Sequence, residues 1–137
     1  MKIGFTCSTF DLFHAGHVMM LEEARKQCEF LIVGLQTDPT IDRPNTKNKP
    51  VQGVFERWVQ LKACKHVDQI VPYSTEQELR DILLSFPINV RILGEEYQDK
   101  EFTGYDLPME FYFNKRRHSF STSGLRQRVI EANVQTR

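Results

Sequence analysis

The sequence has little that marks a chain for a charged surface, an oxidising compartment or a membrane. Its 137 residues carry 18 Lys+Arg against 18 Asp+Glu, so the formal net charge is zero. That balance argues against a general nucleic-acid or membrane-surface binder, whose footprint is a basic excess. It leaves room for a local basic pocket around a small phosphorylated ligand. Cysteine is scarce: Cys7, Cys28 and Cys64 are widely spaced, odd in number and form no CxxC or metal pattern. Reduced thiols in the cytoplasm are the expectation, with Cys7 a small buried hydrophobe. The N-terminus lacks the charged-then-apolar layout of a signal peptide, and no apolar run approaches membrane-spanning length. Internal repeats and low-complexity segments are also missing.

What is there is alternation. Residues 1–7 and 30–35 read as strands, the second a continuous apolar run suited to a sheet covered on both faces. Between them, 16–26 has helical spacing, with Val18, Met19, Leu21 and Ala24 facing inward. Residues 38–52 hold three prolines and almost no apolar side chains, which predicts a long functional loop. A helix follows over 54–65, with Val54, Trp58, Leu61 and Ala63 inward. A short strand over 69–71 is stopped by Pro72, and a helix over 75–85 is capped by Ser74 or Thr75. Strands over 90–94 and 109–113 and a closing helix over 121–132, with Leu125, Val129 and Ile130 inward, complete the pattern. This predicts one α/β domain over 1–132 with a mostly parallel sheet, and a frayed tail over 133–137.

His14 and His17 straddle Gly16 where the first strand hands over to the first helix. Ligands of open α/β sheets bind at the carboxyl ends of strands. Glycine admits a close backbone approach, and a helix N-terminus favours anions. Two imidazoles there can donate to phosphate oxygens. As an isolated pair they could equally be unrelated loop histidines. A second cluster is Lys47 and Lys49 in the long loop: solvated side chains by default, or point charges closing over phosphates. Arg57, after Glu56, suits a loop backbone, a ligand, or an ion pair with Glu56 or Asp68. A third cluster runs from Arg116 to Ser121-Thr122-Ser123. One hydroxyl caps the last helix, while the N–H groups, hydroxyls and Arg116 fork suit a site for phosphates. Arg117 and His118 read as a solvated face.

The string Thr9-Phe10-Asp11 followed by His14-Ala15-Gly16-His17 resembles the HxGH signature of the cytidylyltransferase-like nucleotidyltransferase superfamily. Leu21-Glu22-Glu23-Ala24-Arg25, Gln36-Thr37-Asp38, and Arg116 with Ser121-Thr122-Ser123 are similar to its glycerol-3-phosphate cytidylyltransferases. The resemblance implies a Rossmann-like three-layer sandwich around a five-stranded sheet. It implies that Thr9, Phe10, His14, Gly16, His17, Lys49, Arg116, Ser121, Thr122 and Ser123 bind the nucleotide. His14, His17, Lys49 and Arg116 would be catalytic, and Asp11, Lys47, Glu78 and Glu96 would meet the acceptor. The partners implied are CTP and a small phosphorylated alcohol, with glycerol 3-phosphate favoured over phosphoethanolamine. Mg2+ would arrive with the triphosphate, no protein metal site is expected, and neither nucleic acid nor membrane is a partner. A homodimer would form through Phe111, Tyr112 and Phe113.

Two departures qualify the pattern. Glu78 stands where the glycerol-phosphate enzymes have a lysine, with Arg80 the nearest substitute, so the acceptor stays open. The segment 99–107 differs from the short version of the family and is expected to line the acceptor pocket. His-Ala-Gly-His is also similar to the heptose-phosphate adenylyltransferases, which keeps adenylyl transfer to a sugar phosphate as an alternative. A non-catalytic nucleotide-binding module is a third.

Overall fold

The computed structural model describes residues 1–135. Five strands form one sheet: β1 (Ile3–Ser8), β2 (Phe30–Gln36), β3 (Gln69–Tyr73), β4 (Val90–Gly94) and β5 (Glu110–Asn114). Their order is β3-β2-β1-β4-β5, and every pairing is parallel. Helices α1 (Ala15–Arg25), α2 (Val54–Lys62), α3 (Glu76–Ser85) and α4 (Thr122–Gln135) connect or follow the strands. The strand order reverses at β1, with β2 on one side and β4 on the other. The crevice outside the carboxyl ends of β1 and β4 is thus the topological switch point, where such sheets place ligands.

Two cores lie on opposite faces of the sheet. Leu31, Val33 and Leu35 of β2 face Leu21 and Ala24 of α1 and Leu61 of α2. Ile32 points the other way, and with Phe5 and Tyr73 it covers Leu79, Ile82 and Leu83 of α3. The strand period of two therefore sorts β2 between two helical layers, giving the expected three-layer sandwich. Each such aliphatic side chain, fully buried, contributes roughly 1.5–3 kcal/mol.

Several sequence expectations are corrected here. Strand β3 runs through Pro72 to Tyr73; it is an edge strand, where a missing N–H need not cost a ladder bond. Helix α1 buries Leu21 and Ala24, whereas Val18 and Met19 are 36% and 45% exposed. Helix α2 ends at Lys62, and Ala63, its C-cap, is exposed rather than inward. Val129 and Ile130 of α4 are 62% and 57% exposed, because no layer covers that face of the helix. Helix α4 also continues through residues 133–135 of the expected tail, and the remainder of that tail lies outside the described residues. Phe111, Tyr112 and Phe113 are half-buried on β5, with Phe111 and Phe113 packed beside the Phe102 ring, so they are not the exposed dimer patch expected. Cys7 is half-buried at a cavity floor rather than sealed in the core. No helix among the described residues is long and apolar enough to cross a membrane.

Candidate active site

The chain leaves β1 at Ser8 and makes a strained turn before α1. Phe10 and Leu12 hold positive φ, 52° and 51°, a conformation that costs a non-glycine residue about 1–2 kcal/mol. The surroundings hold it in place. Phe10 is sealed in the core. The Leu12 N–H donates to Gln52 Oε1 (2.8 Å), and the Thr9 carbonyl accepts from Arg57 (2.9 Å). Strain maintained in this way is typical of a site that must present groups in one geometry.

The two histidines then cap α1 reciprocally. His14 is the N-cap, and its Nδ1 accepts the Gly16 N–H at 3.0 Å. The Nδ1 of His17 accepts the His14 N–H at 3.1 Å. With each Nδ1 an acceptor, the neutral rings carry their proton on Nε2. The rings stack with centroids 3.9 Å apart, and Phe10 and Phe13 pack around His17 at 5.4 and 5.5 Å. Burial pushes the His14 pKa down, and the charges of His118 and Arg116 add to that. Burial and then the neighbouring His14 lower His17 to about 4. Both rings are therefore neutral Nε2–H donors at neutral pH, set at a helix N-terminus.

This protonation has a consequence for stability. The unfolded chain takes up a proton at His17 near 6.5, while the native state refuses it until about 4. Below 6.5 the unfolded state binds more protons, so stability falls as the pH is lowered through that window, by up to about 3 kcal/mol. Urea unfolding at pH 7 and pH 4.5 measures the loss, and His17→Asn should shrink it. An unchanged pH difference in that variant would contradict this account.

Around the histidines lies a cleft of about 490 Å3, to which Gly16, Glu96, Arg116, Ser121 and Thr122 also contribute. Gly16 is needed there: a Cβ would sit 2.8 Å from Cε1 of His14 and 2.9 Å from Cε1 of His118. Arg116 donates to the Phe120 carbonyl, which curls the 116–120 segment over the cleft. Ser121 Oγ accepts the Gly124 N–H (2.9 Å), so Ser121 rather than Thr122 caps α4. Thr122 Oγ1 donates to the Asp11 carbonyl (3.2 Å), tying α4 to the strained turn. Ser123 is exposed and outside the cleft lining.

A second cavity of about 390 Å3 shares Ser8 with the first and opens on the other side of the β1 terminus. Thr9, Lys47, Glu76, Arg43 and Arg91 help to line it. Glu76 accepts from Arg43 (3.0 Å) and from Thr103 Oγ1 (2.9 Å). Arg91 donates to the Thr103 carbonyl and lies over the Phe102 ring. The segment 99–107, turning at Gly104 (φ +87°), contributes Glu101, Phe102 and Thr103 to this cavity. Three buried donors, Arg43 Nε, Arg91 Nε and Gln36 Nε2, find no hydrogen-bond partner among the described residues.

Other expected site residues are placed differently. Glu78 is exposed and lines neither cavity; on α3 it lies about 200° around the helix from Glu76. Glu76 is the α3 carboxylate that the cavity receives, and Arg80 pairs instead with Asp106. Asp11 is 6% exposed, and both its oxygens are engaged, by the N–H groups of Gln52 and Val51 and by Arg126 (2.8 Å). Burial opposes its ionisation, but those three donors outweigh it and hold the carboxyl below the usual range. Asp11 thus fastens the loop and α4 to the turn and offers no free oxygen to an acceptor. Lys49 is exposed and lines neither cavity, while Lys47 lines the second. The Phe10 side chain is buried, so only its backbone can face a ligand. Arg57 serves the loop backbone and makes no ion pair with Glu56 or Asp68; Asp68 pairs with Arg25 (2.9 Å). Sequence reasoning missed Arg91, Arg126 and Gln52. Their partners lie 12, 115 and 40 residues away, and no local pattern signals them.

The cytidylyltransferase-like family profile matches residues 5–128. The chain is 30% identical over 113 residues to an ethanolamine-phosphate cytidylyltransferase of Arabidopsis thaliana, covering 79% of this chain and 27% of that one. It is 33% identical over 128 residues to the bifunctional protein HldE of Campylobacter jejuni, covering 93% of this chain and 28% of that protein. The chain thus spans little more than a quarter of the length of these curated relatives. Among solved structures, the lipopolysaccharide core biosynthesis protein from Thermoplasma volcanium superposes with a TM-score of 0.67 at 21% identity, over 88% of this chain and 99% of that one. Pantothenate synthetase from Thermus thermophilus gives 0.63 at 14%, over 93% of this chain and 64% of that one. These two share the fold. With the profile matched over nearly the whole chain and the histidine pair at the head of α1, the chain belongs to the cytidylyltransferase-like family.

Proposed function

We propose that the chain is a nucleotidyltransferase that moves CMP from CTP to a small phosphorylated alcohol, with glycerol 3-phosphate the favoured acceptor. The observation that carries this is the pair of cavities meeting at Ser8, one with the histidine donors and one with cationic donors. An oxygen of the acceptor phosphate attacks the α-phosphorus, and the bond from that phosphorus to the oxygen bridging to the β-phosphate breaks. Pyrophosphate leaves. The nucleophile is an anion, so no base is required. What the site must supply is alignment and stabilisation of spreading negative charge. His14 and His17 donate from Nε2, Arg116 brings a fixed charge, and the α1 N-terminus adds its dipole. Magnesium, carried by the triphosphate, supplies further charge neutralisation. It takes oxygen ligands and needs few from the protein; Glu96, expected beside the acceptor, lines the histidine cleft instead, with its carboxylate folded over Gly94, and of the cleft carboxylates it is the one we assign to such an ion.

The acceptor cavity favours an oxygen-rich anion. Its lining carries three cationic side chains, Arg43, Lys47 and Arg91, against two carboxylates, Glu76 and Glu101. The ammonium of phosphoethanolamine would meet three cations, Arg43, Lys47 and Arg91, with Glu76 already paired and Glu101 the one lining carboxylate left to receive it. The same donors suit the hydroxyls of a sugar phosphate, which supports adenylyl transfer to such an acceptor as the second reading. Pyrophosphate release with CTP and ATP against glycerol 3-phosphate, phosphoethanolamine and sugar phosphates tests both. The expected result is CTP with glycerol 3-phosphate, at least about tenfold ahead of phosphoethanolamine in kcat/KM, from one lost charge-assisted bond. Preference for ATP with a sugar phosphate selects the second reading, and no release with any pair removes both.

A further inference from the structure

Within the exposed run from Lys115 to Phe120, His118 alone is half-buried, and its ring lines the nucleotide cleft. His14 shares this cleft with it. The two rings converge on Gly16, where the Cβ of any other residue would meet Cε1 of both within 3 Å. His118 Nδ1 accepts the Phe120 N–H at 3.1 Å, and the ring stacks on Phe120 with centroids 5.3 Å apart. This is the arrangement already met at His14 and His17: a backbone N–H occupies Nδ1, and the proton of the neutral ring is left on Nε2. Three imidazoles from two distant segments are thus set in one tautomer, with Arg116 beside them.

We propose that His118 is a third imidazole donor of this cleft, giving its Nε2–H to a phosphate of the bound triphosphate. The inference rests on the cleft being a nucleotide site. It assigns to His118 a contact with the ligand, where the sequence reads only a solvated face. Arg116 and Ser121 flank His118 on one loop, so a ligand anion held there meets a guanidinium, an imidazole and a helix N-terminus together. The 116–120 loop beside the phosphates would then be held through Phe120, by Arg116 on its carbonyl and by His118 on its N–H.

Two conservative substitutions separate contact from scaffolding. In His118→Asn, the amide oxygen can take the place of Nδ1 and keep the Phe120 N–H satisfied, but nothing replaces Nε2–H. In His118→Gln, the amide nitrogen can take the place of Nε2, and the loop bond is lost. The probes are inorganic tripolyphosphate and Mg-CTP, titrated calorimetrically against the full chain. Loss of a hydrogen bond to an anion weakens binding by about 10- to 100-fold. His118→Asn should show that loss with both probes, and His118→Gln should stay within about threefold of wild type. The reverse order, equal losses or no loss in either variant would overturn the proposal. If tripolyphosphate binding depends on His118 in this way but no nucleotide releases pyrophosphate, the phosphate contact stands and the transferase reading falls. If the wild-type chain does not bind tripolyphosphate, the His118 contact falls.

Discussion

Arg57→Ala is expected to destabilise the protein by about 3–5 kcal/mol, the largest loss of any single substitution outside the apolar core. The Arg57 side chain is 1% exposed. Its Nε donates to the Gln52 carbonyl (3.0 Å), one terminal nitrogen to those of Thr9 (2.9 Å) and Gln36 (2.6 Å), and the other to that of Thr37 (2.5 Å). Those carbonyls come from the turn after β1, the end of β2 and the loop before α2. One planar fork therefore fixes three segments that meet at the switch point. Burial pushes the guanidinium pKa down, and the charges of Asp11 and Asp38 push it back. Alanine would leave four carbonyl groups without their donor, that of Gln36 buried and those of Thr9, Thr37 and Gln52 half-buried, each costing part of its desolvation penalty. Lysine carries the charge but directs its donors from one point, so it cannot span the three segments. Arg57→Lys is expected to recover less than half the loss. Urea unfolding gives the answer: a loss under about 1 kcal/mol for Arg57→Ala, at unchanged denaturant slope, would show that water or a neighbour replaces the fork.

How much of this could be read in the chain depended on distance along it. The histidine pair was legible because its geometry is local: residues three apart at a strand-to-helix junction can cap each other. The continuous apolar run of β2 was legible because both faces of that strand are covered. Residues 121 and 122 were legible as a cap by type, although the choice of Ser121 needed the Gly124 contact. Arg57 was harder. The loop backbone was one of three partners its type allowed, beside a ligand or an ion pair with Glu56 or Asp68, and only the fold selects it: adjacent helical residues point about 100° apart, and the helix turns Arg57 inward onto the carbonyls. Val129 and Ile130 have the right period for a buried face, but period says only that the residues share a face, not that a layer covers it. Glu78 stands where the resemblance implies an acceptor contact, yet Glu76 lines the cavity, because a shift of two positions moves a side chain to nearly the opposite side of α3. Asp11 lies beside the histidines in sequence and was assigned a ligand. Its true partners, Val51, Gln52 and Arg126, are 40 or more residues away. The features that escaped were those in which a charged group from one segment organises the backbone of another.

His17→Asn carries the largest expected effect on activity, a fall in kcat/KM of about 10²- to 10³-fold, the usual range for losing one preorganised donor to a developing oxyanion. Asparagine is the informative choice over alanine. Its amide oxygen can accept the His14 N–H in place of Nδ1 and so preserve the cap of α1, while the Nε2–H donor is lost. Alanine removes both, and also the ring packed among Phe10, Phe13 and His14, adding about 1 kcal/mol or more of instability. His17→Asn should therefore unfold near the wild-type urea midpoint at pH 7. Below pH 6.5 it should be more resistant to acid than the wild type, because it lacks the ring that the native state holds neutral. The joint result, activity lost with stability kept at pH 7 and improved in acid, separates a chemical role from a structural one. Pyrophosphate release near the wild-type rate in this variant would mean that the stacked imidazoles only cap the helix. The reacting phosphate would then have to be held from the opposite wall of the cleft, by Arg116 and the head of α4.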